Sequence, residues 1–179
     1  DKLLNAYRFV EHEIQNSFLV LHSTAAGYYN PTQISKDFKI KRLWLTNLYG
    51  KLTPSNLNAL YNVCNIYVQP SYSEGFGLPI LEALKFNKPA VAVDAQPFSE
   101  IIKHNKSGIL VPSSRFSWYN YKDMILFKMH WYEPEDLASA IIALLSNQRL
   151  ITKMQRNIQS EKYHWDIYRL YPKLLSYFS

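Results

Sequence analysis

The sequence predicts an α/β domain of Rossmann-like type, a doubly wound parallel sheet with helices on both faces. Short apolar runs at Phe18–Leu21, Arg42–Thr46, Ile66–Val68, Ala90–Val93 and Ile109–Val111 alternate with segments whose apolar residues recur at helical spacing. Strands joined through crossover helices run parallel, and burial on both faces makes each read as a nearly continuous apolar run. A glycine-bearing loop also separates the third run from a helix, which is where such sheets bind ligands, beyond the carboxyl ends of the strands.

Each element has its own signal. Leu3, Leu4, Tyr7, Val10 and Ile14 share one helical face, so the chain opens in an amphipathic helix, followed by the strand Phe18–Leu21. A turn-rich stretch from Gly27 to Pro31 and a short helix lead to the strand Arg42–Thr46. Thr53 or Ser55 caps the next helix, which carries Leu57, Leu60 and Tyr61, because a hydroxyl can accept from a first-turn amide. Ile66–Val68, a helix through Leu84, the strand Ala90–Val93, a helix over Phe98–Lys103 and the strand Ile109–Val111 complete the alternation. Residues Ser113–Tyr132 break it. They hold Phe116, Trp118, Tyr119, Tyr121, Phe127 and Trp131 with Lys122 and Lys128, and read as an insertion over about 113–132. Glu133-Pro-Glu-Asp136 then opens a helix through Leu137, Ala140, Ile141 and Leu144, with acids where the helix dipole favours them. Helical periodicity continues through Trp165, Tyr168 and Leu174, giving C-terminal helices over about 134–178. With no internal repeat and no linker, residues 1–179 read as a single domain.

Composition narrows the classes of partner. Apolar residues make up 47% and charged residues 19%, a globular balance. The formal charge of +6 favours an anionic partner. The basic residues Lys36, Lys39, Lys41, Arg42 and Lys51 are scattered and form no arginine-rich arm, so nucleic acid is not expected. Cys64 is the one cysteine, which excludes an intrachain disulfide and fits a reducing, cytoplasmic setting; between a helix and a strand it is expected as a small buried hydrophobe. No apolar run approaches the roughly 18 residues of a membrane span. The opening residues do not resemble a signal peptide, so the expectation is a cytoplasmic chain, soluble or peripheral at a membrane. His12, His22, His104, His130 and His164 are too dispersed for a zinc pattern, and no metal or cofactor is expected.

The segment from Val68 to Leu84 carries the chemistry. Here a strand ends, a loop with Gly75 and Gly77 follows, and a helix begins near Leu78. Glycines allow close backbone approach, and the unpaired amides of a helix start favour an anion such as a diphosphate. The dinucleotide fingerprint is absent, because Ile80 stands where its third glycine would be. Glu74 precedes the helix and Glu82 lies within it. Their spacing corresponds to about 12 Å if fully helical, and more if the loop is extended. A glycosidase pair stands about 5 to 10 Å apart, so the spacing better suits two contacts on one elongated ligand. A simple turn with two ordinary surface acids is the alternative reading of these residues.

At these positions the sequence resembles the retaining glycosyltransferases of family 4, whose carboxy-terminal domain bears two glutamates separated by seven residues. The motif here is Glu74-Gly-Phe-Gly-Leu-Pro-Ile-Leu-Glu82, and the resemblance continues through Leu60–Ser71, Lys88–Asp94, Glu100–Ile102, Ser107–Pro112 and Pro134–Leu137. It implies the C-terminal half of a GT-B fold and a transferase that moves a hexose from a nucleotide diphosphate sugar to an acceptor. By resemblance, Glu74 is the catalytic contact to the transferred sugar. The backbone of Gly75, Phe76, Gly77 and Leu78 holds sugar and diphosphate, and Glu82 binds the ribose hydroxyls.

Two departures accompany it. The family's donor domain begins with a strand and a loop supplying an arginine and a lysine to the diphosphate, whereas this sequence opens within the following helix, and Lys2 stands too late to be that lysine. The acceptor-binding amino-terminal domain is not in this sequence either, so the chain alone is expected to be inactive. A non-catalytic nucleotide-sugar-binding module and a nucleotide-sugar epimerase of related fold are the other readings. For the aromatic insertion, contact with a membrane interface or a glycan acceptor stands beside simple packing of its rings against the domain.

Overall fold

The computed structural model describes residues 2–23, 29–46 and 51–161. Its elements run α1 (Lys2–Glu13), β1 (Leu19–Leu21), α2 (Pro31–Asp37), β2 (Leu43–Leu45), α3 (Pro54–Val63), β3 (Tyr67–Gln69) and α4 (Leu78–Lys85). They continue with β4 (Ala90–Val93), α5 (Phe98–Ile101), β5 (Gly108–Val111), β6 (Arg115–Tyr121), β7 (Ile125–Trp131), α6 (Pro134–Leu145) and α7 (Gln148–Glu161). Every strand expected from the apolar runs is present within a residue or two. The expected helix at Trp165 to Leu174 and the first two residues of the Gly27 to Pro31 turn lie outside the described residues.

The parallel ladder β3–β4–β5 is the centre of the fold. All four residues of β4 are buried, which is why Ala90-Val-Ala-Val93 contains no polar side chain. Helix α1 buries Leu3, Leu4, Ala6, Tyr7 and Val10, and α6 buries Leu137, Ala138, Ile141 and Leu144. All of these but Leu4 join Ile80, Phe98, Ile102 and Val111 in one apolar cluster. Thr53, rather than Ser55, caps α3, its side chain accepting from the Asn56 amide at 3.3 Å. Cys64 is half-buried at the end of α3, and burial raises its thiol pKa above the ordinary value.

The strands differ from expectation in one respect. Among the described residues they form two separate parallel ladders, β1–β2 and β3–β4–β5, in place of one continuous sheet. Strands β1 and β3 are half-exposed over most of their length, while β4 is wholly buried.

The aromatic insertion is an antiparallel hairpin, β6–β7, in full register from Arg115↔Trp131 to Tyr121↔Ile125. Its turn places Lys122 and Asp123 at positive φ, with the Met124 amide bonded to the Tyr121 carbonyl at 3.0 Å. That backbone twist matches the twist of paired strands. Among the described residues the rings do not pack on the domain as a set, and the ties are at the root: the His130 amide donates to the Tyr72 carbonyl at 2.8 Å, the Tyr132 hydroxyl donates to the Pro70 carbonyl at 2.8 Å, and Trp131 lies 4.6 Å from the Tyr72 ring.

Gly108 marks a close approach within the sheet, because a Cβ there would stand 2.0 Å from the Ala90 carbonyl oxygen. Backbone cannot yield as a side-chain tip can. Gly108→Ala is expected to lower stability by roughly 1–3 kcal/mol, the usual cost of overpacking, seen as a reduced urea midpoint at unchanged slope. An unchanged midpoint would show that β4 and β5 are not packed this closely.

Candidate functional site

The site begins with the parity of a strand. Alternate residues of an extended chain share a side, and Tyr67 and Gln69 on β3 with Ser71 just beyond it have that spacing. Gln69 is only 7% exposed, so its amide must find partners within the protein. It does so at both ends. The Tyr67 hydroxyl donates to its oxygen, while its nitrogen donates to Ser71 Oγ at 2.7 Å and to Glu74 Oε1 at 2.9 Å. Ser71 Oγ also donates to Glu74 Oε1 at 2.9 Å. The Glu74 carboxylate is therefore half-buried and held in place by two donors at the carboxyl end of β3.

Helix α4 starts three residues after Gly75. Gly77 is its N-cap at φ +81°, a left-handed conformation that disfavours a side chain, and a Cβ there would also stand 3.2 Å from Ile101 Cδ1. No side chain caps this helix start. A Cβ added at Gly75 would meet nothing within 4 Å, and Phe76 and Leu78 are exposed. The loop therefore presents open backbone and an uncapped helix dipole next to a fixed carboxylate.

Glu82, one turn further along α4, is exposed and anchored from below. The buried Tyr61 hydroxyl donates to Glu82 Oε2 at 2.7 Å, and its ring stacks on Phe86 at 5.6 Å. Burial first, then the bond to Glu82, pushes the Tyr61 hydroxyl pKa well above its ordinary value. Tyr67 is raised too, by burial and then by the charges of Glu74 and Glu82, which places both carboxylates in the surroundings of a single ring.

The six residues expected at the site thus occupy one loop and the first turns of one helix. Four more that support them were not expected: Tyr61, Tyr67, Gln69 and Ser71. The alternation of polar positions 67, 69 and 71 was a legible signal for three of them; nothing local links Tyr61 to Glu82, which is 21 residues away. Lys2 is engaged elsewhere. Its ammonium donates to the Tyr132 carbonyl, stands 3.9 Å from Glu133, and lies over the Tyr72, Trp131 and Tyr132 rings at 5.5–5.9 Å. A shallow hollow on α7, lined by Gln148, Arg149, Thr152, Lys153 and Arg156, shares no residue with this site. Among the described residues no group of three or more His, Cys, Asp or Glu side chains could hold a metal ion, and no helix is long and apolar enough to cross a membrane.

Comparison with solved structures decides the fold. The chain superposes on the pneumococcal O-GlcNAc transferase GtfA in complex with UDP and GlcNAc with a TM-score of 0.76 at 20% identity, covering 98% of this chain and 32% of that one. On S. aureus TarM, a mutant in complex with UDP and other ligands, the TM-score is 0.75 at 19% identity, covering 100% and 32%. The fold is that of the GT-B glycosyltransferases. A third GT-B likeness, the C-terminal domain of a group 1 family glycosyltransferase (LpcC) from Francisella tularensis, has a TM-score of 0.70 at 19% identity and covers 92% and 77%. In sequence, the model of the family "Glycosyl transferases group 1" matches residues 45–127. The serotype-specific mannosyltransferase WbdA of Escherichia coli is 29% identical over 107 residues, 57% of this chain and 13% of its own length. An uncharacterized glycosyltransferase of Sulfolobus islandicus rod-shaped virus 1 is 27% identical over 115 residues, 64% and 34%. The chain thus spans between about an eighth and a third of these curated relatives.

The buried tyrosines give the fold a signature in alkali. Tyr61, Tyr67 and Tyr132 keep their protons in the folded state above the ordinary value near 10, whereas the unfolded chain releases them there. The folded state then binds more protons, so stability is full below about pH 10 and falls above it, by up to about 1.4 kcal/mol per pH unit for each tyrosine. The melting temperature is expected to decline as pH rises beyond about 10, and less steeply in Tyr61→Phe. A decline of equal slope in that variant would remove Tyr61 from the set.

Proposed function

We propose that this chain is the donor-binding, C-terminal half of a retaining glycosyltransferase that takes a hexose from a nucleotide diphosphate sugar. The observation that carries the reading is Glu74, fixed by Gln69 and Ser71 in front of an uncapped helix start. In this reading the amides of the Gly75–Leu78 segment receive the diphosphate and stabilise it as it leaves. Glu74 orients the sugar and stabilises positive charge developing at its reacting carbon. Glu82, steadied by Tyr61, accepts from the ribose hydroxyls. Support comes from the UDP and sugar in the complexes of GtfA and TarM, from the C-terminal domain of LpcC, and from the mannosyltransferase WbdA, which favours a hexose. In this reading the chain supplies the donor half alone, and the transfer also needs an acceptor-binding domain.

Calorimetric titration with UDP, GDP, ADP and their sugar conjugates tests the proposal. One base is expected to be preferred, and Glu82→Ala should weaken that nucleotide by roughly 10- to 100-fold, because a hydrogen bond to a charged group carries about 1.5–3 kcal/mol. Glu74→Gln should leave the free nucleotide unchanged and weaken the sugar conjugate. Indifference of every titration to Glu82→Ala would overturn the ribose assignment, and equal affinity of the sugar conjugate for parent and Glu74→Gln would favour a binding module over a transferase.

A further inference from the structure

We propose that the β6–β7 hairpin is a finger that seats this chain on the interface of a bilayer containing anionic lipid. The hairpin leaves the sheet just after β5, and its root is bonded to the loop that bears Glu74 through the Tyr72 and Pro70 carbonyls. Beyond that root, β6 and β7 pair only with each other among the described residues. Seven residues per strand at about 3.3 Å each give a projection of roughly 20 Å.

Cross-strand partners share a face, so the register sorts the side chains. One face carries Tyr119 with Phe127 and Tyr121 with Ile125; the other carries Phe116 with His130, Trp118 with Lys128 and Asn120 with Leu126. Both faces therefore carry exposed apolar side chains, with Tyr119 53% exposed on the first and Trp118 58% on the second, and the turn adds Met124 at 80%. A protein partner laid on a two-stranded ribbon covers one face and leaves the other wet. A lipid interface surrounds an inserted finger on all sides, which is what apolar side chains on both faces and at the tip require.

Charge selects the lipid. Arg115, Lys122 and Lys128 outnumber the single acid of the hairpin, Asp123, and each cation lies over a ring: Lys128 over Phe116 at 4.4 Å, Lys122 over Tyr121 at 5.3 Å, Arg115 over Trp131 at 5.6 Å. Cations beside amphipathic rings suit the headgroup zone, where phosphates meet acyl chains. The outer edges of the ribbon carry unpaired backbone groups, which confines insertion to that zone and keeps it out of the hydrocarbon core. The inference does not depend on the donor reading, since it uses no residue of the nucleotide site.

Co-sedimentation of the 179-residue chain with vesicles of phosphatidylcholine and phosphatidylglycerol, and with phosphatidylcholine alone, tests it. Binding is expected to the mixed vesicles and to fall as salt rises. The triple variant Trp118→Ser, Leu126→Ser, Phe127→Ser should lose at least about tenfold in vesicle affinity while keeping the thermal transition of the parent, because these side chains are exposed. Lys122→Glu with Lys128→Glu should abolish the preference for phosphatidylglycerol. No sedimentation with either vesicle, or equal sedimentation of parent and triple variant, overturns the proposal. So does a dimer of the parent, seen by light scattering without lipid and lost in the triple variant, which would assign the finger to a second copy of the chain.

Discussion

The whole arrangement depends on the burial of β4. A strand covered on both faces must be apolar throughout and must satisfy its backbone through its two neighbours, and Ala90–Val93 does so by pairing with β5 along its full length and with β3 over Ala90–Ala92. That pairing aligns the carboxyl ends of β3 and β5. From the first comes the loop with Glu74, and from the second comes the aromatic hairpin. Two segments distant in the sequence thus emerge from the same end of one sheet.

The polar network at that end is an instance of burial creating order. Gln69 cannot be hydrated at 7% exposure, so its amide is obliged to bridge, and the partners it finds are Tyr67, Ser71 and Glu74. Because the amide oxygen is engaged by Tyr67, its nitrogen faces the carboxylate, which fixes Glu74 as an acceptor. Tyr61 does for Glu82 what Gln69 does for Glu74, from a different helix and with a different donor. Each carboxylate is therefore positioned by a buried group that need not touch a ligand.

Much of the fold was legible in the chain. The apolar runs located the strands because a residue buried on both sides leaves an unambiguous mark, and the glycine loop ending at Gly77 marked the start of α4 because few residues tolerate its backbone conformation. Less legible was the pairing. A three-residue run such as Leu19–Leu21 states that it is a strand and is silent about which neighbour it takes, so the separation of β1–β2 from β3–β4–β5 had no signature. The insertion was visible as a break in the alternation, yet its form as a hairpin was not, since its apolar residues fall on both faces and erase the period of two.

By itself the sequence determined the α/β class, the place of the glycine loop after the third strand, and the residue types available for chemistry, because these follow from local periodicity, steric permission and composition. Only the tertiary structure decided that Gln69 and Ser71 hold Glu74, that Tyr61 lies under Glu82, and that the rings of the hairpin face outward instead of packing on the core. The physical reason is range. Backbone preference acts over a turn or a strand, whereas the partner of a buried polar group, or the solvent of an exposed ring, is settled by residues brought near through the packing of the whole sheet.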